Sequence, residues 1–241
     1  GILLERSSNN IIVGNNITAN FADGISLLCY SSNNTVVGNN IANNGHGIRL
    51  YSSNNTVVGN NIANNAHGIY LYSSSNNRVY YNNFVDNVQQ VFSENSINVW
   101  DDGYSSGGNY WSDTGADLFS GPYQNVTGSD GIEDTPYVID EYNVDSYPLM
   151  GPFNSFNTSV GYSVDVISNS TVEDFRYFKS NSTIIMHISN MTANQTAGFC
   201  RLTIPHDVMS PPYTVKVNDT IINFQTTYEN YTEGISIIYF T

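Results

Sequence analysis

Asp23, His46 and His67 each stand immediately before a glycine in a recurring text, Asp/His-Gly-Ile-x-Leu. If those texts stack, one carboxylate and two imidazoles line a single edge about 5 Å apart, a donor set that suits a transition metal. Gln90 is expected to continue that column, and Tyr30, Tyr51 and Tyr72 to form another, which could stack on sugar rings or steady the coils. A second donor-rich stretch spans residues 100–152. No Lys or Arg occurs between Arg78 and Arg176, while ten Asp and Glu crowd into this stretch. Hard oxygens at short spacing in Gly-rich loops suit Ca²⁺, with Asp113, Asp117, Asp130 and Asp134 as candidate ligands. Asp130-Gly-Ile-Glu-Asp134 lacks EF-hand spacing. The plainer reading is a solvated acidic cap whose Trp100, Trp111, Phe119 and Tyr137 close one end of the fold.

Catalysis is poorly served by this residue set. A glycosidase needs two carboxylates flanking a sugar groove, and a lyase needs a basic residue beside the substrate. The repeat region carries few acids, and Arg49 and Arg78 are isolated in it. The expectation is a protein that is not an enzyme, with a polysaccharide-binding, lyase or hydrolase activity as the alternative.

These residues sit in a repeat. Asn15, Asn39, Asn60 and Asn82 follow one another at steps of 24, 21 and 22 residues. A unit of that length cannot bury its own apolar face, so neighbours must stack. Ile12, Val36, Val57 and Val79 share one register. Ile17, Ile41, Ile62 and Phe84 share a second, and Ile25, Ile48, Ile69 and Val91 a third, two residues before Leu27, Leu50 and Leu71. The runs are short, β-branched and alternating, which is a strand period, and Asn and Gly fill the joints. This describes a parallel β-helix with coils of about 22 residues. Columns such as Asn10, Asn34, Asn55, Asn77 and Asn20, Asn44, Asn65, Asn87 are expected to form amide ladders along the stack.

The motif N-N-T-V-V-G-N-N-I-x-N-N-x-x-G-I-x-L-Y-S-S resembles the right-handed β-helix repeats of NosD-type and related carbohydrate-associated surface proteins. The resemblance covers residues 1 to about 100. Asn109-Tyr-Trp-Ser-Asp113 and Asp130-Gly-Ile-Glu-Asp-Thr-Pro-Tyr137 resemble blocks that follow the coils in NosD-like archaeal proteins. It implies the fold more sharply than the function, since such relatives include copper-site assembly factors, adhesins, S-layer-like proteins and polysaccharide-active enzymes. Copper handling at Asp23, His46 and His67 is the third function it implies.

Three domains are expected: a right-handed parallel β-helix over 1–99, an acidic Gly/aromatic cap over 100–152, and a β-sandwich over 153–241, so the whole is all-β. The last region offers seven short runs: Val160–Ile167, Val172–Phe178, Thr183–Ile188, Gly198–Ile204, Tyr213–Val217, Thr220–Gln225 and Ile235–Phe240. Such a series reads as an immunoglobulin-like sandwich. The apolar run Ile235–Phe240 either closes its own sheet or adds to a neighbour's.

A net charge of −14 with only seven Lys plus Arg argues against nucleic acid or an anionic membrane as partner. Cys29 and Cys200 are too few and too far apart for a disulfide framework. No transmembrane run, signal peptide or initiator Met is present, so a processed precursor or part of a longer chain is expected. Gly1-Ile-Leu-Leu already matches Gly24-Ile-Ser-Leu, so an open first coil is expected, covered by upstream coils or another subunit. Asn-x-Ser/Thr occurs in the coils at Asn16, Asn33 and Asn54, where it is repeat chemistry. It recurs at Asn125, Asn157, Asn169, Asn181, Asn190, Asn194, Asn218 and Asn230, read as N-glycan acceptors of an extracellular, archaeal surface chain. The leading expectation is a structural glycoprotein that assembles with copies of itself, through the open coil and terminal strand, into a surface layer, sheath or filament. Glycans are a further partner.

Overall fold

A computed structural model describes residues 1–113 and 115–241. The chain divides into two compact units, Gly1–Ala116 with Glu133–Leu149, and Asp117–Ile132 with Met150–Thr241. The acidic stretch is therefore shared between them.

The first unit is a parallel β-solenoid. Each coil contributes one strand to each of three sheets. Six-residue strands Asp23–Leu28, His46–Tyr51, His67–Tyr72 and Gln89–Glu94 form the long-strand sheet, with Ile2–Glu5 at its edge. Three-residue strands Ile11–Val13, Thr35–Val37, Thr56–Val58 and Arg78–Tyr80 form the second. Asn16–Thr18, Asn40–Ala42, Asn61–Ala63, Asn83–Val85 and Tyr110–Trp111 form the third. All pairings within these sheets are parallel and in the expected apolar registers, for example Val36 opposite Val57 and Ile48 opposite Ile69. Four inward rows of Ile, Val, Leu and Phe fill the interior, most of them fully buried.

The corners follow from backbone chemistry. A residue in the left-handed region precedes each ladder asparagine but the last ones, Asn98 and Asn109: Asn9, Asn33, Asn54 and Asn76 at one corner, Gly14, Gly38, Gly59 and Tyr81 at the next, Ala19, Asn43, Asn64 and Asp86 at the third. Gly and Asn tolerate that conformation best, which explains the Asn-Asn and Gly-Asn pairs. The asparagine that follows turns inward. In the first column Nδ2 of Asn10, Asn34, Asn55 and Asn77 donates to Oδ1 of the asparagine one coil on, ending at Asn98, at 2.9, 3.1, 3.2 and 2.9 Å. The second runs Asn15, Asn39, Asn60, Asn82, Asn109 at 2.9–3.0 Å. The third runs Asn20, Asn44, Asn65, Asn87. Each Oδ1 also accepts the backbone N–H of the asparagine below. Corner groups that a strand ladder would leave unpaired are thereby satisfied.

Trp100 and Trp111, both fully buried, close the stack with Tyr137. Phe84, Trp111 and Tyr137 are stacked face to face at 4.3 and 4.0 Å. Phe119, also expected there, belongs to the second unit and is 38% exposed. The strand Asn143–Asp145 ends two ladders. Asn143 Oδ1 accepts Asn98 N–H and Trp100 Nε1–H, and Asp145 Oδ2 accepts Asn109 N–H and Trp111 Nε1–H.

The second unit is antiparallel. Phe153–Asn157, Ser163–Ser168, Cys200–Pro205, Ile235–Phe240 and Gln225–Asn230 form one five-stranded sheet in that spatial order. The ribbon Ser170–Phe178/Thr183–Asn190 packs Phe175, Tyr177, Ile184 and Met186 onto its core of Val164, Val166, Leu202, Ile204 and Ile238. A second ribbon pairs Val215–Val217 with Thr220–Ile222. Strands Phe153–Asn157 and Gln225–Asn230 escape the sequence pattern because they are polar edge strands, half-solvated and without an apolar alternation. Ile235–Phe240 has a strand on each side and so no free edge. Among the described residues no helix is long and apolar enough to cross a membrane.

Candidate functional site

The long-strand sheet carries the densest chemistry of the coils. Its register sets Asp23 beside His46, His46 beside His67 and His67 beside Gln89. The column thus continues at Gln89. Gln90 instead occupies the position of Gly24, Gly47 and Gly68. Those glycines are needed for close approach: a Cβ on Gly47 would lie 2.5 Å from the Gly68 carbonyl oxygen of the next coil.

Asp23 and His46 form a bonded pair, with His46 Nδ1 2.7 Å from Asp23 Oδ1. Ser26 Oγ donates to Asp23 Oδ2 at 2.6 Å, and Arg49 Nη1 lies 3.5 Å from the same oxygen. Burial alone would raise the Asp23 carboxyl, but the Ser26 and His46 hydrogen bonds and the Arg49 charge bring it below the ordinary value. Both its oxygens are engaged, so it acts as the anchor of His46 and Arg49 rather than as a third free donor. The His46 and His67 rings are 5.0 Å apart. Burial, aided by the His46 charge, pushes His67 down, and its Nδ1 is buried without a hydrogen-bond partner among the described residues.

An aromatic row borders this column. Position x of Gly-Ile-x-Leu supplies Arg49, then Tyr70, with Phe92 one coil on. Tyr70 and Phe92 stack at 4.6 Å, and His46 lies 4.8 Å from Tyr70. Tyr51 and Tyr72 meet at 5.3 Å, and the Arg49 guanidinium lies 4.5 Å over Tyr51, paired with Asp23 and donating to the Tyr51 hydroxyl. Tyr30 is not in this row. Leu28 faces Tyr51, because Cys29 and Tyr30 form an extra corner in the left-handed region that carries Tyr30 into solvent, 84% exposed. The signal for the Arg49–Tyr70–Phe92 row stood in the repeat itself, at the one variable position of its most regular motif. The face offers two imidazoles in reach of one small ion and a ring platform for a flat ligand.

The four candidate Ca²⁺ ligands fall into different units. Asp113 and Asp134 belong to the first, Asp117 and Asp130 to the second. Asp117 accepts the backbone N–H groups of Asp130 and Gly131 at 3.0 and 2.8 Å, and Asp130 accepts that of Ile132. Asp113 accepts from the Tyr137 hydroxyl and Gln90 at 3.4 Å. Carboxylates in these loops are taken up by local donors. Among the described residues no group of three or more His, Cys, Asp or Glu is arranged to hold a metal ion.

Residues 1–116 match the family model described as periplasmic copper-binding protein (NosD). The coils are NosD-like. The NosD match stops where the acidic stretch passes from the first unit to the second. No curated protein matches the chain.

Proposed function

We propose that the chain is an exported, non-enzymatic structural protein that packs side by side with copies of itself in a cell-surface layer, sheath or filament. The periplasmic description of the NosD family supports export. The observation that carries the packing is an apolar stripe on the outside of the second sheet. Val13, Val37, Val58 and Tyr80 share one outward register, flanked by Ile11, and Ile11 and Val13 are 70% and 60% exposed. An apolar stripe held on a stiff sheet marks a contact surface more than a solvated one. Light scattering and negative-stain imaging over a concentration series test this. Ordered assemblies in the wild type that dissolve in Val37→Lys/Val58→Lys support the reading. A wild type that stays a monodisperse monomer throughout overturns it.

A second reading has its own observation, the Asp23–His46 pair. A carboxylate on Nδ1 fixes the imidazole tautomer and leaves the Nε2 lone pair for a metal. His67, on the next coil, would supply a second nitrogen. Imidazoles suit copper and zinc, and the description of the matching NosD family names copper. Titration of Cu²⁺ into the wild type and into His46→Ala/His67→Ala tests it. Equal affinity in both removes this reading.

A further inference from the structure

In the second unit asparagine follows a rule that it does not follow in the coils. From Asn125 on there are eleven asparagines, and eight have Ser or Thr two residues later, seven of them Thr. Ser and Thr together make up only 26 of those 117 residues, so chance alone would place two or three such pairs. The only asparagine of the eleven that lies in the first unit, Asn143, is not among the eight; it is fully buried at the end of a ladder.

The fold puts all eight where a modifying enzyme could reach them. Asn125 opens the strand Val126–Thr127, and Asn157 ends Phe153–Asn157. Asn169 links two strands, Asn181 ends the short 3-10 turn Lys179–Asn181, and Asn190 ends Thr183–Asn190. Asn194 lies in the loop that follows, Asn218 in the turn of a ribbon at φ +48°, and Asn230 at a strand end. None is buried; six are exposed, and Asn169 and Asn230 are half-buried.

We infer that the second unit carries a coat of N-linked glycans, and that the fold sorts the eight acceptors into two groups. The reaction joins Asn Nδ2 to C1 of a lipid-linked oligosaccharide. The C1–O bond breaks, its electron pair leaves with the lipid phosphate, and the amide gives up one proton. The attacking amide must therefore be free. Among the described residues Asn125, Asn181, Asn194 and Asn218 spend neither side-chain atom on a hydrogen bond, and Asn157 uses only its oxygen, accepting from Ser163. Asn169 is bound at both ends, donating to the Ala197 carbonyl and accepting the Phe199 N–H. Asn190 donates to the Gln195 carbonyl, and Asn230 donates to the Tyr228 hydroxyl while accepting from Thr232 and Glu233. The first five are the occupied sites. This inference rests on the export reading above.

The test is glycopeptide mass spectrometry of the full chain, secreted behind a cleavable leader from a host that N-glycosylates. Because the leader imposes secretion, the outcome is independent of whether the native chain is exported, which fractionation of its source cells decides. Glycan is expected at Asn125, Asn157, Asn181, Asn194 and Asn218, with occupancy at Asn169 several-fold lower. Thr196→Ala, at an exposed position, is expected to remove one glycan mass and leave secretion unchanged. A secreted chain without glycan, or Asn169 occupied as fully as Asn181, overturns the inference.

Discussion

Asn60 and Asn181 are the same residue in opposite settings. Asn60, in the coils, is fully buried; its amide donates to Asn82, Val36 and Val58, and its oxygen takes two N–H groups of Asn39. Asn181, in the second unit, is exposed at a turn, and its amide has no hydrogen-bond partner among the described residues. The difference lies in what precedes each. In the coils a left-handed residue swings the next asparagine inward, against an identical one a coil away. In the second unit a hairpin turn swings it out. Composition alone cannot tell the two apart; the spacing of neighbours at 21 to 24 residues can.

Three substitutions sharpen that contrast. The largest effect is expected where the ladders end. Trp111 is fully buried between Phe84 and Tyr137, so Trp111→Ala should cost about 3–5 kcal/mol in urea unfolding. Next comes Asp145, which receives N–H groups from Asn109, Trp111 and Tyr147 yet lies wholly inside. Burial outweighs those donors and pushes its carboxyl from 3.8 up to about 7. The folded chain then keeps a proton that the unfolded chain has released. That stabilisation is complete below the unfolded value, fades as pH rises through 7, and is on the order of a few kcal/mol. Asp145→Asn should flatten the wild type's loss of stability between pH 4 and pH 7, read as the difference between the two pH profiles. The smallest effect is expected at Asn181→Ala, within about 0.5 kcal/mol of the unglycosylated wild type.

The coils were legible because each level of the text agreed. Alternating Ile and Val set the strands, Gly-Asn and Asn-Asn set the corners, and the repeat aligned them. The misplacements came where coils differ in length. Tyr30 left its column because the first coil inserts the Cys29–Tyr30 corner, and Gln89 rather than Gln90 follows His67 because pairing, not the glycine, sets the register. Phe119 could not be assigned to its unit from sequence, because the chain leaves the first unit at Asp117 and returns at Glu133. The Asp23–His46 bond was prefigured by the shared column, whereas Asp23's engagement with Ser26 and Arg49 depends on rotamers that no spacing fixes.

Urea unfolding of Asn60→Ala beside Asn61→Ala tests most directly whether inward asparagine columns hold the coils together. Asn61 is one residue on but faces out, donating to Asn40 at 2.8 Å in solvent. Truncating Asn60 strands buried partners on two neighbouring coils, so a loss of about 3 kcal/mol or more is expected, against about 0.5 kcal/mol or less for Asn61. Equal losses at the two positions would contradict the account.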